Sequence, residues 1–345
     1  MPIPSGRVFI IAEAGVNHNG NFGLARRLVA MAAGAGADAV KFQTFKANEC
    51  AGSFAQKADY QKRNTKKHES QLAMLKSLEL PFPRFKDLQN LARKLKIEFL
   101  STPDGLESLN FLVKLSVPFL KIGSSEITNL HFLKTIGSTG IPLILSTGMA
   151  TLGEVETALD AIFSAGNADV TLMHCTTDYP APAEDANLFA MKTMAAAFQL
   201  PVGLSDHTIG NEAAIAAVAL GAKAIEKHIT LDKNLPGPDQ AASMSPDEFY
   251  GFVQAIRKTE QLLGNGIKRP SKREVVTMQV VRRSIVAAHH LCKGRVLEES
   301  DLAFKRPGTG LSPSLAPTVS GRRILRPFEK GEPLNWVDLS GKVFP

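Results

Sequence analysis

Two short apolar runs in this 345-residue chain each end in a histidine with ligand-capable neighbours: Gly203-Leu-Ser-Asp-His-Thr208 and, about twenty residues later, Ile225-Glu-Lys-His-Ile229. If the two runs are adjacent strands, His207 and His228 converge at one sheet edge beside Ser205, Asp206 and Glu226. Two neutral imidazoles with water in the remaining positions suit a divalent transition metal that polarises a carbonyl. Strand-end histidines also serve as internal hydrogen-bond partners, so at this point both readings stand. Lys41 and Lys121, with the hydroxyls of Ser124, Ser146 and Ser205 and the amides of Gly123 and Gly148, suit a phosphate or carboxylate. Glu13, Glu126, Asp206, Glu226 and Asp239 are candidates for acid–base work. The residue types therefore point to an anionic substrate, a metal-polarised carbonyl and a carboxylate proton carrier.

The elements that must position these groups repeat one plan eight times: a β-rich apolar run, a polar or glycine-bearing end, then a helical segment. The runs are Val8–Gly15, Ala39–Phe45, Ile97–Pro103, Phe119–Ser125, Pro142–Gly148, Val170–Thr176, Pro201–His207 and Ala224–Thr230. Most are continuously apolar, as expected of parallel strands covered on both faces. Between them, Phe85, Leu88, Leu91, Ala92 and Leu95 form one helical stripe and Leu106, Leu109, Leu112 and Val113 another. Thr151-Leu-Gly-Glu154 and Ser245-Pro-Asp-Glu248 read as capping boxes. Eight such units in about 260 residues predict an α/β fold, a (β/α)8 TIM barrel, in which the strand ends form the catalytic face. A doubly wound sheet rarely has eight regular units and usually opens on a Gly-rich turn. The strand endings supply Glu13, Lys41, Gln43, Thr102, Lys121, Ser124, Glu126, Ser146, Thr177, Tyr179, Ser205, His207, Glu226 and His228. A solvated loop accounts for any one of them, but not for polar endings on every strand.

An insertion from Lys46 to about Glu69 follows the second run and carries Ala58-Asp-Tyr-Gln61 and a basic run, Lys62 to Lys67. It reads either as a loop over the barrel mouth that touches substrate or as a mobile solvated loop. After Gly266 the pattern changes. The expected organisation is a barrel over residues 1–266, a linker over 267–281 and a small β domain over 282–345. Cys292-Lys-Gly-Arg-Val-Leu-Glu-Glu-Ser-Asp-Leu302 repeats as Glu329-Lys-Gly-Glu-Pro-Leu-Asn-Trp-Val-Asp-Leu339 at an offset of 37, which suggests pseudo-two-fold symmetry.

The net charge of +7 lies in the tail, where residues 266–345 hold 15 Lys and Arg against 7 Asp and Glu. Scattered basic pairs with one Trp and no Tyr among them argue against nucleic-acid binding and for a domain that serves an anionic substrate. The apolar run Val8–Ala12 is too short for a signal-peptide core or a membrane span, so no membrane association is expected. Three cysteines without a C-x-x-C pair give no disulfide framework or structural zinc site, and the expected compartment is the cytoplasm.

In combination, Ile11-Ala-Glu-Ala-Gly-Val-Asn-His-Asn-Gly20, Val40-Lys-Phe-Gln43, Phe99-Leu-Ser-Thr-Pro103, Leu120-Lys-Ile-Gly-Ser-Ser-Glu126, Ile144-Leu-Ser-Thr-Gly-Met149, His174-Cys-Thr, Tyr179-Pro180, Gly203-Leu-Ser-Asp-His-Thr208, Glu226-Lys-His228 and Gly237-Pro-Asp239 resemble the bacterial sialic acid synthases. Lys305-Arg-Pro-Gly308 and the repeat around it are similar to the antifreeze-like (SAF, β-clip) domain that ends those enzymes. The resemblance covers nearly the whole chain. It implies a metal-dependent condensation of phosphoenolpyruvate with an open-chain N-acylated mannosamine-type sugar (an N-acyl hexosamine), with phosphate leaving by C–O cleavage. It further implies that His207 and His228 hold Mn2+, for which Mg2+ or Co2+ substitutes. Lys121, Ser124, Ser146 and Ser205 would hold phosphoenolpyruvate together with Lys41, near Thr102 and Gln43. Glu13, Glu126 and Glu226 would be the catalytic carboxylates, while Tyr179 and Asp239 would contact the sugar. Arg306 of the partner subunit in a domain-swapped homodimer would grip the acyl group. Thr177, where neuraminate synthases often carry Asn, and Asp104-Gly105, where Phe commonly follows Ser-Thr-Pro, depart from the neuraminate pattern. With Tyr60 and its neighbours they look more like legionaminic acid synthases; neuraminate synthesis, or another phosphoenolpyruvate-dependent ketodeoxy sugar acid synthesis, is the alternative.

Overall fold

The computed structural model describes residues 6–65 and 68–342, so Lys66 and Lys67 of the basic run lie outside the described residues. The chain forms two compact units, residues 1–264 and 265–345. In the first, eight parallel strands close a barrel in sequence order: β1 (Phe9–Gly15), β2 (Ala39–Phe45), β3 (Glu98–Asp104), β4 (Leu120–Ile122), β5 (Leu143–Ser146), β6 (Val170–His174), β7 (Val202–Asp206) and β8 (Ala224–His228), which pairs back to β1.

The period of two within each strand decides what goes where. Outward residues such as Ile10, Ala12, Val40, Leu120, Leu145, Leu204 and Ile225 join the main core under the helices. Inward residues form a separate apolar cluster, Phe9, Ile11, Ala39, Leu100, Ile144, Met173 and Ala224, that plugs the barrel toward the strand starts. The next inward positions toward the strand ends are Glu13, Lys41, Thr102, Ser146, Ser205, Glu226 and His228. Each strand is thus mostly apolar where it meets helices or the plug, with buried exceptions such as Thr171, Asp206 and Lys227, and polar where its inward side reaches the mouth.

The outer ring follows the periodicity. Helix Phe82–Lys94 buries Phe85, Leu88 and Ala92, and helix Leu106–Leu115 buries Leu109 and Leu112. Leu95, Leu106 and Val113, from the same stripes, stay largely exposed at the edges. The boxes at Thr151–Glu154 and Ser245–Glu248 cap their helices in both directions. The last barrel helix, Pro246–Leu263, buries Phe249, Phe252, Val253 and Ile256, each worth about 1.5–3 kcal/mol of apolar burial. The insertion after β2 is longer and more ordered than a loop: helices Ala47–Cys50, Asp59–Thr65 and Gln71–Leu78 precede the crossover helix. Among the described residues, no helix is long and apolar enough to cross a membrane.

One glycine sets how closely β7 approaches its neighbours. A Cβ on Gly203 would sit 2.4 Å from the Ala224 carbonyl oxygen and 2.7 Å from Met173 Sδ. Gly203→Ala is therefore expected to destabilise the barrel by about 1–3 kcal/mol through overpacking, measured as a lower thermal midpoint. An unchanged midpoint would show that β7 and β8 separate without strain.

In the second unit the stretch 267–281 carries helix Lys272–Val281. Beyond it, the sequence repeat becomes a structural one. The turns Glu299–Asp301 and Trp336–Asp338 each lead into a strand, Leu302–Lys305 and Leu339–Lys342. In each, the repeated aspartate accepts the amide three residues back and an arginine Nε: Asp301 from Glu298 and Arg295, Asp338 from Asn335 and Arg326. Ile285, Ala287, Leu291, Leu297, Val319, Ile324, Phe328 and Leu334 form the core of this unit. Arg306 is exposed here, and its Nε donates to the Val281 carbonyl at 2.9 Å.

Candidate active site

The polar inward residues surround a cavity of about 430 Å3 at the strand ends, and its lining includes Glu13, Lys41, Lys121, Ser146, His207 and His228. A run of alternating charge crosses it. Glu13 Oε1 lies 2.9 Å from Lys41 Nζ, Lys41 lies 3.7 Å from Glu226 Oε2, and Glu226 Oε1 lies 3.5 Å from Lys121 Nζ. Lys121 Nζ donates to Ser146 Oγ at 2.6 Å, Ser205 Oγ donates to Glu226 Oε1 at 2.8 Å, and Lys41 reaches Thr102 Oγ1 at 3.3 Å. All four charged groups are buried. Ions this far from water persist only because each has an opposite charge in reach.

The imidazoles of His207 and His228 have ring centroids 5.5 Å apart. His207 Nδ1 lies 2.6 Å from the Thr176 carbonyl oxygen, so Nδ1 carries the proton and Nε2 keeps its lone pair, 3.4 Å from Ser205 Oγ. Tyr179 lies 4.2 Å from the His207 ring, and Tyr60, from helix Asp59–Thr65, lies 4.9 Å from Tyr179. That helix is tied across the mouth by Asn64 Nδ2, which donates to the Pro238 carbonyl at 2.5 Å.

Burial dominates the proton affinities. It holds His207 down at about 4 and His228 well below the ordinary imidazole range, so both rings are neutral at neutral pH. Glu13 is pushed up to about 7, chiefly by burial. Burial also acts to raise Glu226, but Lys121 and Lys41 outweigh it and bring that carboxyl to about 2. Burial pulls on both lysines; Glu13 and Glu226 together hold Lys41 above its usual range, while Lys121, with one close carboxylate and Lys41 repelling it, falls below. A raised Lys41 favours an ion pair and a raised Glu13 opposes one. The geometry favours the Lys41 ammonium, because Glu226 keeps it paired when Glu13 takes up a proton. Two carboxyls in one cavity are thus driven apart in proton affinity, an arrangement that separates a proton carrier from a fixed counter-charge.

Among the described residues, no cluster of three or more His, Cys, Asp or Glu is arranged to hold a metal. The histidine pair nonetheless fits a divalent ion that takes its other ligands from water or substrate. Both rings are neutral, the His207 tautomer leaves Nε2 available, and His228 Nδ1 and Glu13 Oε2 are buried without a partner.

Most of the residues expected from sequence do meet. Glu13, Lys41, Gln43, Tyr60, Thr102, Lys121, Ser124, Ser146, Thr177, Tyr179, Ser205, His207, Glu226 and His228 line the one cavity. Glu126, expected among the catalytic carboxylates, does not; its Oε2 accepts from Asn129 Nδ2 at 2.7 Å. Asp239 is not among the lining residues; it is buried within electrostatic reach of Tyr60 and Tyr179, and burial raises its carboxyl to about 6. Arg306 belongs to the second unit. Asp206, read as an acid–base candidate, points away from the cavity to Lys227, as its outward parity on β7 dictates. The Gly148 amide, read as an anion donor, is taken by Ser124 Oγ at 2.9 Å.

Asp104, read only as a specificity position, also lines the cavity, as do Cys50 and Cys175. Burial, reinforced by Glu126, raises the Asp104 carboxyl to about 7 from an ordinary value near 3.8. Since the folded state holds this proton and the unfolded chain has lost it, the contribution of Asp104 to stability falls as pH rises from about 4 to 7. Asp104→Asn removes that penalty, so the midpoint of the variant should gain on the wild type as pH goes from 5 to 8. A pH-independent difference would exclude it.

Residues 28–268 match the NeuB family, and residues 282–340 match the SAF domain. An N,N'-diacetyllegionaminic acid synthase of Legionella pneumophila is 48% identical over 95% of this chain and 93% of its own length. A synthase of the same name from Campylobacter jejuni is 47% identical over 94% of this chain and 98% of its own. Among solved structures, an N-acetylneuraminic acid synthetase from Leptospira borgpetersenii in complex with citrate superposes with a TM-score of 0.71 at 35% identity, covering 79% of this chain and 90% of the other.

Proposed function

The chain belongs to the NeuB family, and from that premise we propose that it is a nonulosonic acid synthase, which condenses phosphoenolpyruvate with an N-acylated mannosamine-type sugar and releases phosphate. The observation that carries this reading is the run Glu13–Lys41–Glu226–Lys121–Ser146 beside two neutral imidazoles in one cavity. It offers two buried ammonium groups to a phosphate and carboxylate donor, and neutral ligands to a metal.

Lys121, Ser124, Ser146 and Ser205 hold the donor with Lys41, while Glu226 stays ionised and fixes both lysines. The C2–C3 π electrons of phosphoenolpyruvate form the new bond to the aldehyde carbon, and the aldehyde oxygen takes a proton. Water adds at C2, the C2–O bond to phosphate breaks, and the C2 hydroxyl loses its proton to become the ketone. Of the two protons the water brings, one replaces that given to the aldehyde oxygen and the other leaves on phosphate. His207 and His228 would hold the divalent metal, Mn2+ by family resemblance, which when bound supplies Lewis acidity for the acceptor carbonyl. Glu13, raised by burial, is the carboxyl suited to deliver the proton to the aldehyde oxygen. Tyr60, Thr177, Tyr179 and Asp239 form the acceptor side. Arg306 of the partner subunit in a swapped homodimer completes the grip on the acyl group.

Two relatives near half identity bear the legionaminic name. On that ground the acceptor assigned is a 2,4-diacetamido-2,4,6-trideoxymannose, with N-acetylmannosamine as the alternative. Phosphate release from phosphoenolpyruvate and Mn2+, followed with both sugars in parallel, tests the proposal. The expected result is release with both, faster with the diacetamido sugar. No release with either sinks the synthase reading, and a preference for N-acetylmannosamine sinks the acceptor assignment.

A further inference from the structure

We propose that the buried Asp206–Lys227 ion pair is a positioning clamp that sets the imidazoles of His207 and His228 against each other. The inference rests on the reading of those histidines as metal ligands. Asp206 precedes His207 and Lys227 precedes His228, and the two are register partners across β7 and β8. Where the histidines point inward, this pair points outward, under helix Pro246–Leu263, with the ammonium 5.8 Å from the Phe252 ring. Neither residue lines the cavity, so neither meets substrate.

The pair closes a ring around His207. Lys227 Nζ lies 2.7 Å from Asp206 Oδ2 and 2.5 Å from the Thr208 carbonyl oxygen. Asp206 Oδ1 accepts the Thr208 amide at 2.9 Å and its hydroxyl at 2.7 Å. Both neighbours of His207 are therefore tied to the residue before His228. The His228 ring depends on that tie more than its partner does. His207 has the Thr176 carbonyl to aim it, but His228 Nδ1 has no hydrogen-bond partner, so its direction comes from its backbone and from edge packing against Tyr179.

Stability alone does not account for the arrangement. Side-chain exposure is 2% for Lys227 and 0% for Asp206, and a pair so dehydrated gains little over well-packed apolar residues of the same size. What the ion pair adds is a fixed relation between two points of adjacent strands. Partners behind metal ligands act in this way, and their loss typically weakens metal binding about 10–100-fold.

The test separates the clamp from general stability. Asp206→Asn and Lys227→Met are made singly and together, and Mn2+ binding is measured by paramagnetic resonance of the free ion, alongside the metal-free thermal midpoint. Lys227→Met alone should lower the midpoint, because it strands a buried carboxylate. The double variant should regain much of that midpoint and still bind Mn2+ about 10–100-fold more weakly than wild type. Wild-type Mn2+ affinity in the folded double variant overturns the clamp. Should the double variant not fold, Asp206→Asn alone, which breaks the ion pair, should still weaken binding, and wild-type affinity there overturns it as well. His228→Ala is the control. If it too binds Mn2+ as wild type does, the metal reading falls and takes the clamp with it; if it loses binding while the double variant does not, only the clamp falls.

Discussion

Lys121→Met is expected to lower kcat/KM by about 10^2–10^3-fold, the usual cost of removing one preorganised charge from a water-excluded site. The side chain has three duties that methionine cannot take over. It donates to Ser146, it neutralises Glu226, and it offers a buried ammonium to the anionic donor. Without it, Glu226 keeps Lys41, at 3.7 Å, as its one close ammonium beside the Ser205 hydroxyl, and its carboxyl should climb from its present low proton affinity. Lys121→Arg separates charge from chemistry. If Lys121 formed a Schiff base with the donor, arginine would be as inactive as methionine, and borohydride would trap a pyruvoyl adduct on the wild type. An electrostatic role predicts a partly active arginine variant and no adduct. Equal activity in wild type and Lys121→Met would remove this residue from the donor site altogether.

His207→Ala should be at least as severe, with turnover down by about 10^3-fold or more and Mn2+ no longer retained. Its ring lies against Tyr179, its Nδ1 is engaged by the Thr176 carbonyl, and its Nε2 faces the Ser205 hydroxyl, so the imidazole is held from three sides. Such a ring is oriented for a partner in the cavity. Alanine removes it without touching the outward face of β7, and the thermal midpoint of the metal-free protein should change far less than the activity. Retained turnover in a metal-depleted His207→Ala preparation would show that the pair is only a structural contact.

The barrel was legible because its strands obey a rule the sequence cannot hide. Residues that face helices or the interior plug are mostly apolar, whereas the last inward positions are polar on strand after strand, so Glu13, Lys41, Lys121, Ser205 and His228 stand out where they do. The same parity places Asp206 outward, which reading it merely as a neighbour of His207 overlooks. Glu126 stands apart from the lining for a related reason: β4 ends at Ile122, and the short 3-10 turn Ser124–Glu126 that follows pairs the carboxylate with Asn129. Tyr60 sits in an insertion whose helix, Asp59–Thr65, buries no residue and leaves no apolar stripe to announce it. Its partners Tyr179 and Asp239 lie more than a hundred residues away, a proximity that only the closed barrel creates. Asp104 shows the reverse limit. Its position at a strand end was visible, but its proton affinity depends on burial and on Glu126, neither of which spacing reveals.

The helix Asp59–Thr65 has a consequence for how the protein opens. The donor-side groups sit on strands whose backbone bonds belong to a closed ring, so amides near Lys41, Lys121 and Ser205 should exchange with solvent deuterium only through opening of the barrel as a whole. The helix that carries Tyr60 is held to the mouth by ring contact with Tyr179 and by Asn64, and its amides should exchange through a separate, far less costly event. Deuterium uptake would then resolve two rates within one cavity, with the wall that holds the charges slow and the cover over the acceptor side fast.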